Sequence, residues 1–291
     1  MRSLQAIKEQ IINLLDPKQL LFAQWQDLVE GLSERDLVLA QQVLADGWPG
    51  PGDQTPRLIQ KLTAEERLAS LLFLLPQAIQ RYERQSIPKQ ILQDSLADFY
   101  LRANLYDAHY QGLGLTADDG QWLLRLFDLQ IFKLGALQFE RIRWQPDPSY
   151  YHMPLEVLNH WPTGTPLLAV HIMAGTDLSH AACQASFDQA ATFFATYDGP
   201  EAYQAYTCFS WLLYPGLLAH LGPESRIYQF SQFFDLLGAT SWPDMAKSRL
   251  LDQAPSHKQG SRLQVLARDN QSILGAALGY RPFAAKEENY G

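Results

Sequence analysis

At 291 residues the chain has room for two domains of ~150 residues each, and 47% hydrophobic residues supply the material for sizeable cores. A formal net charge of -8 excludes a protein that grips nucleic acid through a basic surface. No run approaches the ~18 uncharged apolar residues of a membrane span, and Lys8, Glu9 and Gln10 interrupt the opening MRSLQAIKEQIINLL, so no membrane segment or signal peptide is expected and the expected compartment is the cytoplasm.

Up to about residue 130 the pattern is helical. IKEQIINLL, LVLAQQVLA, ERLASLLFLLPQAIQRYE and ILQDSLADFYLRANLYD repeat apolar residues at three and four. Breaks are predicted at Asp16-Pro17, in WPGPGD (48–53), at Ile87-Pro88 and at Gly112–Gly114. Thr63–Glu66 has capping-box spacing and Thr116–Asp119 approximates it.

After Gly135 short β-branched or aromatic runs take over: LQFERIRW (137–144), SYYHMP (149–154), PLLAVHIM (166–173) and AYTCFSWLL (205–213). The first three predict an antiparallel meander. Between the third and fourth, LSHAACQASFDQAATFFATY carries one apolar helical face, Cys183, Phe187, Ala190, Ala191 and Phe194, with Ser179 as N-cap, so strand, helix and strand predict a parallel crossover. Further on the pattern predicts a helix at 215–221, a strand IYQFSQFF (227–234), a helix near 243–251, a strand SRLQVLAR (261–268) and a loose tail AAKEENYG. Cys183 and Cys208 are expected to be reduced and buried.

A meander feeding such a crossover is the layout of the GNAT acetyltransferase fold. LGALQFE (134–140), HIMAGTDL (171–178), the helix with Cys183, Ser186 and Phe193-Phe194, CFSWLL (208–213), IPKQILQDSLADFY and TADDGQWL together resemble a bacterial family of acyltransferases, over roughly residues 60–280. That family joins a helical N-acyltransferase N-terminal domain to a GNAT-like C-terminal domain. The resemblance implies an α+β chain, with a helical domain over 1–130 and a GNAT-like mixed-sheet domain flanked by helices over 131–291. It also implies an acyl-CoA co-substrate such as acetyl-CoA, a small-molecule amine acceptor and no metal. Ala136 stands where the family usually has a basic residue, and Met173 where it has a proline.

In that fold the turn after the strand before the long helix offers backbone N–H groups to the coenzyme's pyrophosphate; here the turn is Met173, Ala174, Gly175 and Thr176. The charge pattern opposes this. Between Arg143 and Arg226 there is no lysine or arginine, against seven acidic residues, and a helix N-terminus supplies only ~0.3–1 kcal/mol toward an exposed anion. Help is expected from Arg226, Lys247 or Arg249, or from the helical domain. A domain without catalytic activity that binds a small ligand or a protein is the rival reading.

Acyl transfer to an amine needs a base, an N–H donor for the carbonyl oxygen and an acid for the thiolate. Alternation puts Gln138 with Glu140 and Leu167 with Ala169 and His171, so Glu140 and His171 are expected to approach each other, one of them as base. Tyr206, Cys208 and Ser210 share a face beside the expected thioester, with Trp211 next to them as a further substrate contact; Cys208 is a nucleophile candidate with His171 as its base, or a core residue. Tyr214 stands where the acid is expected. Tyr150, Tyr151, Trp161 and Trp211 line an acceptor pocket or fill the core. Five histidines (His152, His160, His171, His180 and His220) lie in the span without lysine or arginine, but their spacing matches no metal pattern.

Overall fold

The computed structural model describes residues 3–19, 21–47, 57–250 and 262–283. The expected break at 48–53 and the tail at 284–291 lie outside the described residues. Two compact units comprise Met1–Lys133 and Leu134–Gly291.

The first unit is built from α1 (Leu4–Leu14), α2 (Phe22–Gly31), α3 (Glu34–Ala45), α4 (Leu58–Lys61), α5 (Ala64–Arg84), α6 (Lys89–Tyr110) and α7 (Ala117–Phe127). Capping boxes open α3 at Ser33–Asp36, α5 at Thr63–Glu66 and α7 at Thr116–Asp119, which satisfies end donors that have no helical acceptor. Helix α5 runs through Pro76 because Leu71, Leu72, Leu74, Leu75, Ala78 and Tyr82 are buried around it, and that burial outweighs the lost hydrogen bond. Asp98, 1% exposed, accepts from Trp122 Nε1 at 2.6 Å and Arg102 Nε at 3.0 Å, and Arg102 also pairs with Asp119.

The second unit surrounds a six-stranded sheet. In chain order come β1 (Ile131–Leu134, which spans the unit boundary), β2 (Leu137–Arg143), α8 (Pro148–Tyr151), α9 (Leu155–Leu158), β3 (Pro166–His171), α10 (His180–Tyr197) and β4 (Ala205–Ser210). There follow a 3-10 turn at Trp211–Leu213, α11 (Pro215–Leu218), α12 (Arg226–Ser231), β5 (Asp235–Ser241), α13 (Pro243–Leu250), α14 (Arg262–Asp269) and β6 (Gly275–Pro282). The strand order is β1-β2-β3-β4-β6-β5. Strand β3 is antiparallel to β2 and parallel to β4, so the crossover through α10 is present as expected, with Ser179 capping the helix onto the Ala182 amide.

Three predicted strands are helices, and each has a local reason. Asp147 caps Pro148 and accepts from Ser149 and Tyr150 amides, so SYYHMP begins as α8; the meander instead uses β1 as its first strand. In IYQFSQFF, Ile227, Phe230 and Phe234 recur at three and four, a helical period; the first two lie in α12 and Phe234 follows it, packed on Phe230. In SRLQVLAR, Leu263 and Ala267 are four apart and pack together around Ile273 and Leu274 as part of α14.

A buried serine ties the long helix to the sheet. Ser186 Oγ accepts from the Ala136 amide at 2.7 Å and the Leu137 amide at 3.4 Å while donating to Ala182 O at 2.9 Å. Gly135 makes this approach possible, since it has φ +66° and a Cβ there would lie 2.6 Å from Ser186 Oγ. Ser186→Ala is expected to lower the stability of this unit by about 1–3 kcal/mol, because the two amides lose their acceptor; a denaturant titration of variant against parent checks it.

Candidate active site

The parallel pairing of β3 with β4 is short. It contains Leu168 opposite Tyr206 and Ala169 opposite Thr207. Beyond that point Val170 and His171 continue β3, while Cys208, Phe209 and Ser210 continue β4 paired only to β6. The sheet therefore splits between its two central strands on the side where β3 leads into α10.

At the end of β3 the carbonyl of Met173 accepts from the Thr176 amide at 3.2 Å and the Thr176 hydroxyl at 2.7 Å, which closes the turn. Ala174 is exposed, Gly175 has φ +78°, and no atom lies within 4 Å of where its Cβ would be, so the bend is open. The Cys183 amide begins the helical ladder on Ser179 O, and the amides of His180 and Ala181 precede any intrahelical acceptor. Asp177 accepts from the Ser179 amide at 3.0 Å, which is the main cause holding its carboxyl below the usual range, and Arg226 Nη1 lies 3.1 Å from it. Arg226 thus reaches this turn as expected. Lys247 is half-buried on α13, and the side chain of Arg249 lies outside the described residues.

Strand parity sorts the remaining candidates onto two faces. On the face turned to α10, Tyr206 packs edge-on to Phe139 and Phe187, and Arg281, opposite Tyr206 on β6, stacks over Phe187 at 4.7 Å. Cys208 shares this face with Tyr206 and is 1% exposed. Burial pushes its thiol well above the usual range, and pushes the Cys183 thiol up to about 11. Cys208 and His171 point to opposite faces of the sheet, so of the two readings of Cys208 its burial fits the core one.

On the other face His171 Nε2 lies 2.8 Å from Glu140 Oε2, the approach expected from alternation. The register sets His171 opposite Gln138 and Glu140 opposite Ala169, so the contact is a diagonal one between neighbouring rows. The Glu140 side chain is 4% exposed and that of His171 31%, so the imidazole is the member of the pair that meets solvent. Two places past Ala169 and Thr207, on the same face and level with each other, come His171 and Phe209, where the strands no longer pair. Tyr151 lies close enough to Glu140 for its carboxylate to contribute to the raised phenol pKa, of which burial is the larger cause.

The other candidates lie apart from this pair. Ser210 Oγ accepts from the Leu212 amide and caps the 3-10 turn. Trp211 and Tyr214 pack on the cluster of Leu217, Ala246, Ala267, Ile273 and Leu274. The Tyr214 ring fills space that a Cβ at Gly216 or Gly275 would take, at 2.7 and 2.5 Å. Trp161 is a core residue at 7% exposure, edge-on to Trp144. Phe209, which shares the parity that paired Glu140 with His171, and Trp242, 6.2 Å from the Phe209 ring, are further candidates that the sequence reading did not name.

Among the described residues no group of three or more metal-ligating side chains occurs, and no helix is long and apolar enough to cross a membrane.

Residues 3–129 match the N-acyltransferase N-terminal domain and residues 131–275 the GNAT-like C-terminal domain. The chain belongs to the two-domain N-acyltransferase family that these domains define. A search of curated proteins finds no match. Solved structures with the same fold include a mutant acyltransferase in complex with octanoyl-CoA, at 15% identity and TM-score 0.68 over 97% of this chain and 88% of that one. Others are an acyltransferase with decanoyl-CoA and teicoplanin, at 17% identity and TM-score 0.63 over 96% and 84%, and one with CoA and 10C-teicoplanin, at 17% and 0.64 over the same shares. At these identities the likeness establishes the fold.

In the native protein neither Cys183 nor Cys208 is expected to react with a thiol reagent at about pH 8, and both are expected to react once denatured. Fast native labelling, counted by mass spectrometry, would restore a thiol-nucleophile reading.

Proposed function

We propose that the chain transfers an acyl group from an acyl-CoA thioester to the nitrogen of an amine. The observation that carries this is the half-buried, solvent-reaching imidazole of His171, held by buried Glu140 where β3 and β4 part and β3 leads into the Gly175 turn. The similar solved acyltransferases hold octanoyl-CoA, decanoyl-CoA or CoA, which supports the thioester as co-substrate.

The pantetheine arm enters the split, where backbone groups that a continued ladder would pair face the gap. The amides of Ala174, Gly175, His180 and Ala181 face the pyrophosphate, and Met173 and Thr176 close the bend that presents them. Arg226 supplies the cation that residues 144–225 lack. Its exposed pair with Asp177 cancels the charge that would repel a phosphate, and such a pair exchanges readily for a new anion.

A Glu140 carboxylate accepting from His171 Nε2–H leaves Nδ1 as the proton acceptor. The amine nitrogen attacks the thioester carbonyl, its proton passes to His171 Nδ1, the C–N bond forms, and the C–S bond breaks with the electron pair leaving on sulfur. A gap-facing backbone N–H stabilises the oxyanion, and the thiolate regains a proton from the His171 imidazolium or from solvent, since Tyr214, the acid expected from the sequence, packs on the Leu217 cluster. Cys208, Ser210 and Trp211 act from behind this arrangement, by filling β4 and capping the turn that carries Tyr214.

His171→Ala is expected to lower kcat about 10²-fold or more with unchanged acyl-CoA affinity, as befits loss of a general base. Glu140→Gln is expected to lose less, because a glutamine Oε1 still accepts from His171 Nε2–H but brings no negative charge beside the imidazolium formed in the step. Arg226→Ala is expected to weaken CoA binding without changing kcat. Thiol release with an amine panel and calorimetry with octanoyl-CoA check these. No heat with acetyl-CoA, octanoyl-CoA or decanoyl-CoA would overturn the function in favour of a domain that binds another ligand or a protein.

A further inference from the structure

Around the His171–Glu140 pair the sheet face is overlaid by aromatic rings from three separate stretches of chain. Tyr151 on α8 lies with its ring 5.2 Å from Trp144 and 5.0 Å from Phe209. Tyr150 stands edge-on to Tyr151 at 4.9 Å and 6.1 Å from Phe209, and is 54% exposed. From beyond β5, Trp242 lies 6.2 Å from Phe209 and 4.1 Å from the His152 ring. Trp144 closes the group from beneath at 0% exposure, whereas Tyr151, Phe209 and Trp242 are only half-buried. Tyr151 and Phe209 also pack against the core cluster around Trp144, Leu158 and Leu167, so part of each ring belongs to the core and part, with the exposed Tyr150 and the half-buried Trp242, is left to solvent on the face that carries His171.

Carboxylates mark this face where residues 144–225 build it. Glu140 lies in its floor and Asp147 caps α8 at its rim, while the stretch from 144 to 225 that supplies Tyr150, Tyr151, His152, His171 and Phe209 contains no lysine or arginine. Arg141 and Arg281 are directed to the α10 face, where they engage Asp198 and the Phe187 and Phe233 rings. An anionic acceptor would find no counter-charge on this stretch, while an ammonium finds aromatic rings and, at the rim, the exposed Asp147 carboxylate.

We propose that the acceptor is a cationic amine carried on an aromatic or broadly apolar body that lacks a carboxylate or phosphate near the amine, with Tyr150, Tyr151, Phe209 and Trp242 forming its subsite. This rests on the acyl-transfer reading for its chemistry, but the subsite is a binding property that can be measured separately. The ring faces hold the cationic amine and its apolar body; the fraction that loses its proton attacks the thioester beside His171.

The test is calorimetric titration of the full chain at neutral pH, alone and saturated with CoA, using 2-phenylethylamine, butylamine and phenylalanine, followed by thiol-release assays with octanoyl-CoA and the same amines. 2-Phenylethylamine is expected to bind roughly tenfold or more tightly than butylamine, which lacks the ring, and than phenylalanine, which adds a carboxylate. Phe209→Leu and Trp242→Leu, which keep apolar bulk, are expected to abolish most of the preference over butylamine, with thermal melts reporting that the fold persists. Equal binding of all three amines, tighter binding of phenylalanine, or a preference that survives both substitutions would overturn the proposal. Turnover of all three amines at similar kcat/KM would overturn it while leaving acyl transfer in place. Selective binding of 2-phenylethylamine without turnover of any acyl-CoA would do the reverse.

Discussion

The second unit depends on one interruption: the parallel ladder between β3 and β4 ends after Ala169 and Thr207. Had it continued, the centre of the sheet would be sealed and His171 and Phe209 would be two more paired strand residues. Its ending exposes backbone and side chains at one place without leaving a loose edge, because β2 continues to pair with β3 through His171 and β6 continues to pair with β4 through Ser210. Each diverging strand is thus held from its outer side. Ser186 then ties α10 to the β1–β2 turn, so the helix that follows the open bend has a fixed position relative to β2.

Charge distribution around the bend follows from that geometry. A polyanion entering near Gly175 would meet the field of Asp177, but Asp177 already accepts from the Ser179 amide and lies against Arg226. The absence of cations from residues 144–225 looks unfavourable only along the sequence. In space α12 returns Arg226 to the turn, and β6 brings Arg281 to the α10 face over two phenylalanine rings. Neither of these two arginines is spent on the face that carries Glu140.

How much was legible follows from the residues. The helical unit was read from apolar spacing and from Thr63–Glu66 and Thr116–Asp119, whose caps are local and so survive without tertiary context. The β3–α10–β4 crossover and the diagonal meeting of Glu140 with His171 were read from period-two alternation. By contrast, β5 (DLLGATS) and β6 (GAALGYRP) carry little intrinsic strand preference; their glycines are required by close neighbours, Phe234 against Gly279 and Val157 against Gly238. SYYHMP and IYQFSQFF look like strands by composition, yet Asp147-Pro148 and the spacing of Ile227, Phe230 and Phe234 make them helical. Phe209 and Trp242 were not found because their roles arise from ring contacts between segments far apart in sequence.

The same parity that unites the pair also separates two kinds of environment with a single strand's thickness. Tyr206 and Cys208 face α10 in a packed interior, whereas Thr207 and Phe209 face the aromatic side; a one-residue slip of β4 would exchange them and place a buried thiol beside His171. Register on the far side of the sheet is kept by the irregularity between Leu236 and Gly238 in β5. It sets Gly238 opposite Leu278, in the row of Phe209, where Val157 of α9 and Met153 press into the space a side chain would occupy. That close approach seats the segment carrying Tyr150, Tyr151 and His152 down onto the sheet, so an added Cβ at Gly238 would lift the aromatic rings away from Phe209 although it touches none of them.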